Sequence, residues 1–287
     1  MTTSTSQKAW AAGLLIAAGF ALVYWQVVAK LVHDWYSDDN YSHGFLIIPM
    51  ALYLAWERRE KFFAAPDKPS SLGLIIVAGS LLTLFAGIIG SELFLTRISI
   101  LGTLVGTLLF LCGWRRVGVL AFPLAFLLLM IPIPAIIFNQ IAFPLQLLAS
   151  RFGETAMGMA NVPVLREGNV LILANTTLEV AEACSGIRSL VSLLTLAIVL
   201  GYFSDPRGWV RTLIAVSSVP VAVVTNGFRV AGTGIAAHRF GAAAAEGFFH
   251  EFSGWMVFIA AFALMLGLQR ALTKMVPAAV EPAAVRV

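Results

Sequence analysis

Eight apolar runs bounded by charged residues, near 10–28, 44–56, 72–90, 93–113, 117–133, 186–203, 209–226 and 251–269, constrain this chain more than any other feature. A helix that crosses a bilayer takes about 20 such residues, so eight would use roughly 160 positions. With 287 residues, the chain keeps room for one substantial element outside the membrane. A water-soluble domain carries about 45–50% apolar and about 25% charged residues. Here the figures are 59% and 12%, which leaves little room for a soluble class. The formal net charge of +4 is mild and gives no reason to expect a nucleic-acid partner. The expected fold is all-α and integral to the membrane, with about eight transmembrane helices in a single domain over 1–275. A short Ala/Pro/Val tail at 276–287 follows. The second run is short, and the sixth and seventh are interrupted by Gly or Pro. The first exceeds the 7–15 residues of a signal-peptide core, and no small-x-small site precedes Lys30, so it reads as an uncleaved span.

Basic residues set the orientation. Lys8, Arg58, Arg59, Lys61, Lys68, Arg115, Arg116, Arg207, Arg211, Arg270, Lys274 and Arg286 fall on one side of the eight runs, twelve of the nineteen Lys and Arg. By the positive-inside rule that side, with both termini, is cytoplasmic. Ten of the fifteen acidic residues, including Asp34, Glu92, Glu154, Glu179 and Glu251, lie opposite. Besides the turn at Ser91, three segments face outward: 33–43, roughly 134–184, and 226–250. The middle one opens with an apolar helical run at 135–160, broken by Pro144, which is expected to lie at the interface. Three β-like runs then follow at 162–166, 169–173 and 177–181, separated by Glu167-Gly168 and Ala174-Asn175-Thr176. They predict a small extracytoplasmic β-meander that leads the chain to Cys184 at the start of the sixth span.

Cys184 stands in Glu182-Ala183-Cys184-Ser185-Gly186-Ile187-Arg188-Ser189. At the outer N-terminus of a helix, with a cation one turn on, a thiol is pushed toward thiolate, the form that attacks carbonyls. The plainer reading is a small buried residue at an ordinary helix start, which also suits Cys112. The two cysteines form neither a C-x-x-C pair nor a disulfide framework. Arg229, in Asn226-Gly227-Phe228-Arg229, follows the seventh run on the outer side. It is either a cation on a helix C-terminus or a guanidinium available to a developing oxyanion. His250 opens the last run, where a helix N-terminus keeps imidazole neutral and able to accept a proton, or it is a polar interfacial residue. His43, in Tyr41-Ser42-His43-Gly44, competes with it for that role. One Cys, one Arg and at least one His thus converge on the outer ends of different spans.

From about Tyr41 to Arg270 the chain resembles the exosortases, multi-span bacterial membrane proteins of the exosortase/archaeosortase group. The resemblance rests on Tyr41-Ser42-His43-Gly44, Trp56-Glu57-Arg58-Arg59, Gly168-Asn169, the Glu179 to Ser189 block around Cys184, Asn226 with Arg229, and His250 with Gly254. It implies a cysteine-type protease or transpeptidase in the bacterial cytoplasmic (inner) membrane, with its active site on the extracytoplasmic face. The family's Cys, Arg and His roles map onto Cys184, Arg229 and His250, and no cofactor is implied. The implied partners are membrane-anchored exported proteins whose C-terminal sorting signal is a Pro-Glu-Pro type motif, a transmembrane helix and a basic tail; the acceptor is left open. Arg188 and Arg166 are the local cations for a motif glutamate, and Asn226 and His43 are further substrate-side candidates. A longer C-terminal extension present in some relatives is missing. Three other readings remain: a small-solute transporter using intramembrane Arg97, a membrane acyltransferase, and a metal site of Cys184, His43 and His250, for which no paired-ligand spacing such as H-x-x-x-H speaks.

Overall fold

The computed structural model describes residues 2–174, 176–180, 187–241 and 248–275, with 2–9 and 248–251 as backbone alone. The chain divides into two compact units, Met1–Pro134 and Ala135–Val287.

The first unit contains α1 (Thr2–Ser37), α2 (Gly44–Glu57), α3 (Arg59–Ala64), α4 (Leu72–Ile89), α5 (Leu93–Val119) and α6 (Ala121–Phe126), which runs into a 3₁₀ turn at Leu127–Met130. Small residues allow α4 and α5 to pack backbone to backbone. A Cβ at Gly73 would lie 2.3 Å from the Phe110 nitrogen, and one at Gly106 would lie 2.9 Å from the Gly73 carbonyl oxygen. In lipid, where apolar side chains gain nothing by leaving the solvent, such close approach is what holds helices together. Gly113 then breaks α5: its φ of 79° is left-handed, and a Cβ there would meet the Lys68 carbonyl oxygen at 1.8 Å. Only glycine fits both demands.

Most of α1 is exposed, so polar contacts tie it to its neighbours. The Tyr24 hydroxyl donates to the Ser99 carbonyl at 3.1 Å and lies 2.7 Å from Thr103 Oγ1. Trp35 Nε1 donates to the Met130 carbonyl at 2.9 Å, and Gly44 leaves the room its indole occupies. Arg97, 3% exposed, pairs with Asp34, which also holds Lys30 at 3.0 Å. Intramembrane Arg97 is thus part of a clamp between α1 and α5. Removing one partner of a buried pair strands the other charge, while replacing both by apolar groups is close to neutral. Since Lys30 still offsets Asp34, Arg97→Ala is expected to cost about 2 kcal/mol. Thermal unfolding in detergent should show that loss, and Asp34→Leu/Arg97→Met should restore most of it; a double variant no better than the single would refute the clamp.

The second unit contains α7 (Ala135–Met159), β1 (Val164–Glu167), β2 (Val170–Leu173), β3 (Thr177–Glu179), α8 (Ile187–Ser204), α9 (Gly208–Phe240) and α10 (Phe248–Met275). The strands form one antiparallel sheet in the order β1-β2-β3, with Glu167 opposite Val170 and Val170 opposite Glu179. The expected meander is present with its strand ends shifted by one or two residues, Glu167 falling in β1 and not in the turn. Leu171 and Leu173 turn inward from β2, joining Ala149 and Met157 of α7, Val162, Val180 and Val230 of α9 in one core. Glycines bring α7 against α9: a Cβ at Gly153 would lie 2.7 Å from Val230 Cγ1, and one at Gly227 would lie 2.6 Å from the Phe152 ring. A second core joins Leu193 and Ala197 of α8, Val210, Ile214 and Ala222 of α9, and Ala261 and Met265 of α10. Between α8 and α9, Asp205 accepts the guanidinium of Arg207, which lowers its carboxyl to about 2.

Among the described residues, six helices are long and apolar enough to cross a membrane, or seven if 121–130 and 135–159 count as one broken span. The expectation of about eight is close but needs adjustment at the second and fifth runs. With 14 residues, α2 is about 21 Å long, short of a hydrocarbon core of about 30 Å. The fifth run is split into a six-residue helix and a four-residue 3₁₀ turn. These short pieces pack on each other: Arg58 Nη1 donates to the Val119 carbonyl at 2.8 Å, and His43 Nε2 donates to the Leu129 carbonyl at 3.2 Å.

The seventh run differs more. It was expected to stop near 226, yet α9 continues to Phe240, where Gly241 with φ of 90° ends it. Gly227, Gly232 and Gly234 argue locally against a helix. Packing overrides them, because Gly227, Ala231 and Gly234 lie one turn apart and Gly227 and Gly234 face Phe152 and Met157 of α7.

Candidate active site

The continuation of α9 changes the setting of Arg229. It lies eleven residues before the helix end, so the reading as a cation on a helix C-terminus does not hold; His238 and Arg239 occupy that last turn. Its neighbour Val230 is anchored in the core shared with the sheet, and Asn226, 2% exposed, precedes it by one turn. The half-buried guanidinium lies against α10. An ideal Cβ at Gly254 would be 3.4 Å from Arg229 Nη2 and 3.5 Å from Cζ. A methyl at 254 would meet the guanidinium in ordinary contact, whereas a longer side chain would compete for its place. Position 250 precedes Gly254 by four residues, one helical turn, and lies in the first turn of α10.

Cys184 lies outside the described residues, and His250 is described by its backbone alone. Both flanks of Cys184 are defined. Val180, four residues before it, is buried in the same core as Val230. Ile187, three residues after it, is 3% exposed and begins α8, with half-buried Arg188 in the first turn. Val180, the last described residue before Cys184, shares its core with Val230, the residue after Arg229.

The remaining candidates are already engaged. Arg166 of β1 donates from Nε to Glu154 of α7 at 2.7 Å and from Nη1 to the Gly168 carbonyl at 3.1 Å. An external carboxylate would have to displace Glu154. A shallow depression beside this pair, lined by Glu154, Gly158, Asn161, Val162, Pro163 and Val164, adjoins β1. His43 belongs to the first unit. Burial holds its imidazole below the ordinary histidine range, and its Nε2 lies 3.2 Å from the Leu129 carbonyl oxygen. That contact makes it a fastener of α2.

The sequence reading names Gly254 as part of the resemblance but gives it no role. The signal was present in the four-residue spacing from His250, but a glycine in an apolar run carries no mark of what fills its space. Gly254→Leu is expected to displace the guanidinium and lower any activity that depends on Arg229 about 100-fold, because misplacing a catalytic group by about 1 Å costs that much. Gly254→Ala, whose added carbon meets the guanidinium at an ordinary contact distance, should stay within a few-fold. Rates measured at matched protein abundance check this, and equal effects of Ala and Leu would contradict it.

Together, the apolar helices and the small sheet define a multi-pass membrane protein whose second unit sets a helix-borne arginine against a glycine of α10. Residues 35–267 match the model of the transmembrane exosortase family (Exosortase_EpsH), and the chain belongs to that family. No curated protein and no solved structure matches it.

Proposed function

We propose that this exosortase is a membrane-embedded cysteine-type peptidase or transpeptidase that cleaves C-terminal sorting signals of exported proteins. The observation that carries the proposal is the common core under the site: Val180, leading to Cys184, and Val230, beside Arg229, are packed together. Arg229 in turn rests on α10 one turn from position 250.

In this reading His250 takes the proton of Cys184, and the thiolate sulfur attacks the scissile carbonyl carbon. Arg229 stabilises the oxyanion of the tetrahedral intermediate. As the intermediate collapses, the C–N bond breaks and His250 returns its proton to the departing amine. The resulting thioester passes its acyl group to water or to an acceptor amine or hydroxyl, which restores the thiol. The substrate is an exported protein held by its own transmembrane helix, with a Pro-Glu-Pro type motif just outside the bacterial inner membrane. Arg188 and Arg166 are the cations proposed to meet the motif glutamate; at Arg166 the substrate carboxylate would have to displace Glu154.

The test is co-expression with a tagged protein bearing such a signal, followed by mass spectrometry of its C-terminus. A new terminus near the motif that requires Cys184 supports the proposal. An intact substrate in the presence of abundant enzyme counts against this class of substrate.

A further inference from the structure

The basic end of the first unit carries a surface that the proposed chemistry does not use. It is assembled from the end of α2, α3, the connection to α4 and the part of α5 beyond Gly113. Two arginines build it. Arg58 bonds to the Val119 carbonyl, while Arg116 donates from Nε to the Ala65 carbonyl at 3.2 Å and reaches Asp67 at 3.1 Å. The Arg116 guanidinium also lies 5.4 Å from the Phe62 ring centre. The break at Gly113 starts the end segment of α5, which these contacts fasten to α3 and its following loop.

What remains faces outward. Arg59, Lys61, Lys68 and Arg115 are exposed. Among them stand three large aromatic side chains, Trp56 at 58%, Phe63 at 72% and Trp114 at 59% exposure, with Arg59 stacked 4.2 Å over the Trp56 ring. Across this surface six cations face three carboxylates, Glu57, Glu60 and Asp67; Asp67 is held by Arg116, and Glu60 lies 3.8 Å from Arg59 at the exposed rim. Exposed indole and phenyl rings are costly in open water and favourable at the level of lipid headgroups. Lys and Arg beside them reach phosphates while their stems stay in the apolar layer. An acidic protein segment would satisfy the charges, but not the exposed rings that α2, α3 and α5 set among them.

We propose that this surface is a binding site for anionic phospholipid headgroups of the bilayer that the protein spans. The phosphodiester is held by Arg59, Lys61, Lys68 and Arg115, and the glycerol and upper acyl region lies on Trp56, Phe63 and Trp114. Guanidinium groups suit such a ligand because they offer two parallel donors to one phosphate.

The experiment uses the purified full chain in neutral detergent, with short-chain phosphatidylglycerol, short-chain phosphatidylcholine or inorganic phosphate as the probe. Bound lipid is counted by native mass spectrometry, and stability is followed by thermal unfolding. Phosphatidylglycerol should bind and raise Tm, with phosphatidylcholine and phosphate doing neither. Affinity for phosphatidylglycerol should fall about tenfold or more in R59Q/K61Q/K68Q/R115Q, which alters exposed side chains alone. Arg270→Gln/Lys274→Gln, which removes basic charge from α10, should bind as the wild type does. The milder K68Q/R115Q should fall between the two. Equal binding of phosphatidylcholine, equal protection by phosphate, undiminished binding in the fourfold variant, or an equal loss in the α10 variant would each overturn the assignment.

Discussion

Cys184→Ser is expected to abolish processing of a sorting-signal substrate, with a loss of about a thousandfold or more, and Cys184→Ala should match it. A thiol has a few per cent of thiolate near neutral pH even without help, whereas a serine hydroxyl needs a strong base before it attacks at all. Serine keeps the size and a hydrogen-bonding group, so the comparison isolates nucleophilicity. Cys112 supplies the control. It lies beside Gly113 at the break in α5, is partly exposed, and belongs to the first unit, so Cys112→Ala should leave processing within about twofold. The measurement is the yield of the new substrate C-terminus at matched enzyme abundance. Retention of most activity by Cys184→Ser would refute a thiolate mechanism.

The sequence was informative where periodicity and charge act locally. Long apolar runs bounded by charge predict α4 and α8 to within one residue and the central parts of α5 and α10, and the β-like runs within 162–181, with Glu167-Gly168 between the first two, predict the sheet. It was less informative where tertiary contacts decide. The extension of α9 past Asn226 depends on Phe152 and Met157, which lie about 70 residues away and accept a glycine-rich face. His43 and Arg58, which flank the short α2, bond to the Leu129 and Val119 carbonyls, partners far along the chain. The same contrast holds at the site. Residue type and order pointed to Arg229, Asn226 and His43. They did not reveal that Arg229 is a mid-helix residue seated on Gly254, that Glu154 already holds Arg166, or that His43 Nε2 bonds a backbone carbonyl. A side chain's partner across a helix interface leaves no local trace in sequence.

Arg229→Lys is expected to be nearly as damaging as the loss of the nucleophile, lowering processing by about 100- to 1000-fold, the usual cost of deleting one oxyanion donor. Lysine keeps the positive charge and most of the stem. If the arginine served only as a charge, whether toward lipid headgroups or toward an acidic neighbour, the ammonium would replace it. An oxyanion held by a planar guanidinium instead gains from two donors whose directions are fixed by the group, and an ammonium on a flexible stem cannot reproduce both. The local packing sharpens the difference: the guanidinium carbon and Nη2 lie against Gly254, so the flat group fills the space that the absent side chain leaves. Lysine would leave part of it empty and let the cation wander. The loss should therefore appear mainly in the rate at saturating substrate, with substrate capture altered little, because the oxyanion exists only along the reaction path. Single-turnover measurements on a detergent-solubilised enzyme and a tethered substrate separate the two quantities. A lysine variant with near-normal turnover and weakened substrate binding would move Arg229 from the chemistry to recognition of the sorting signal.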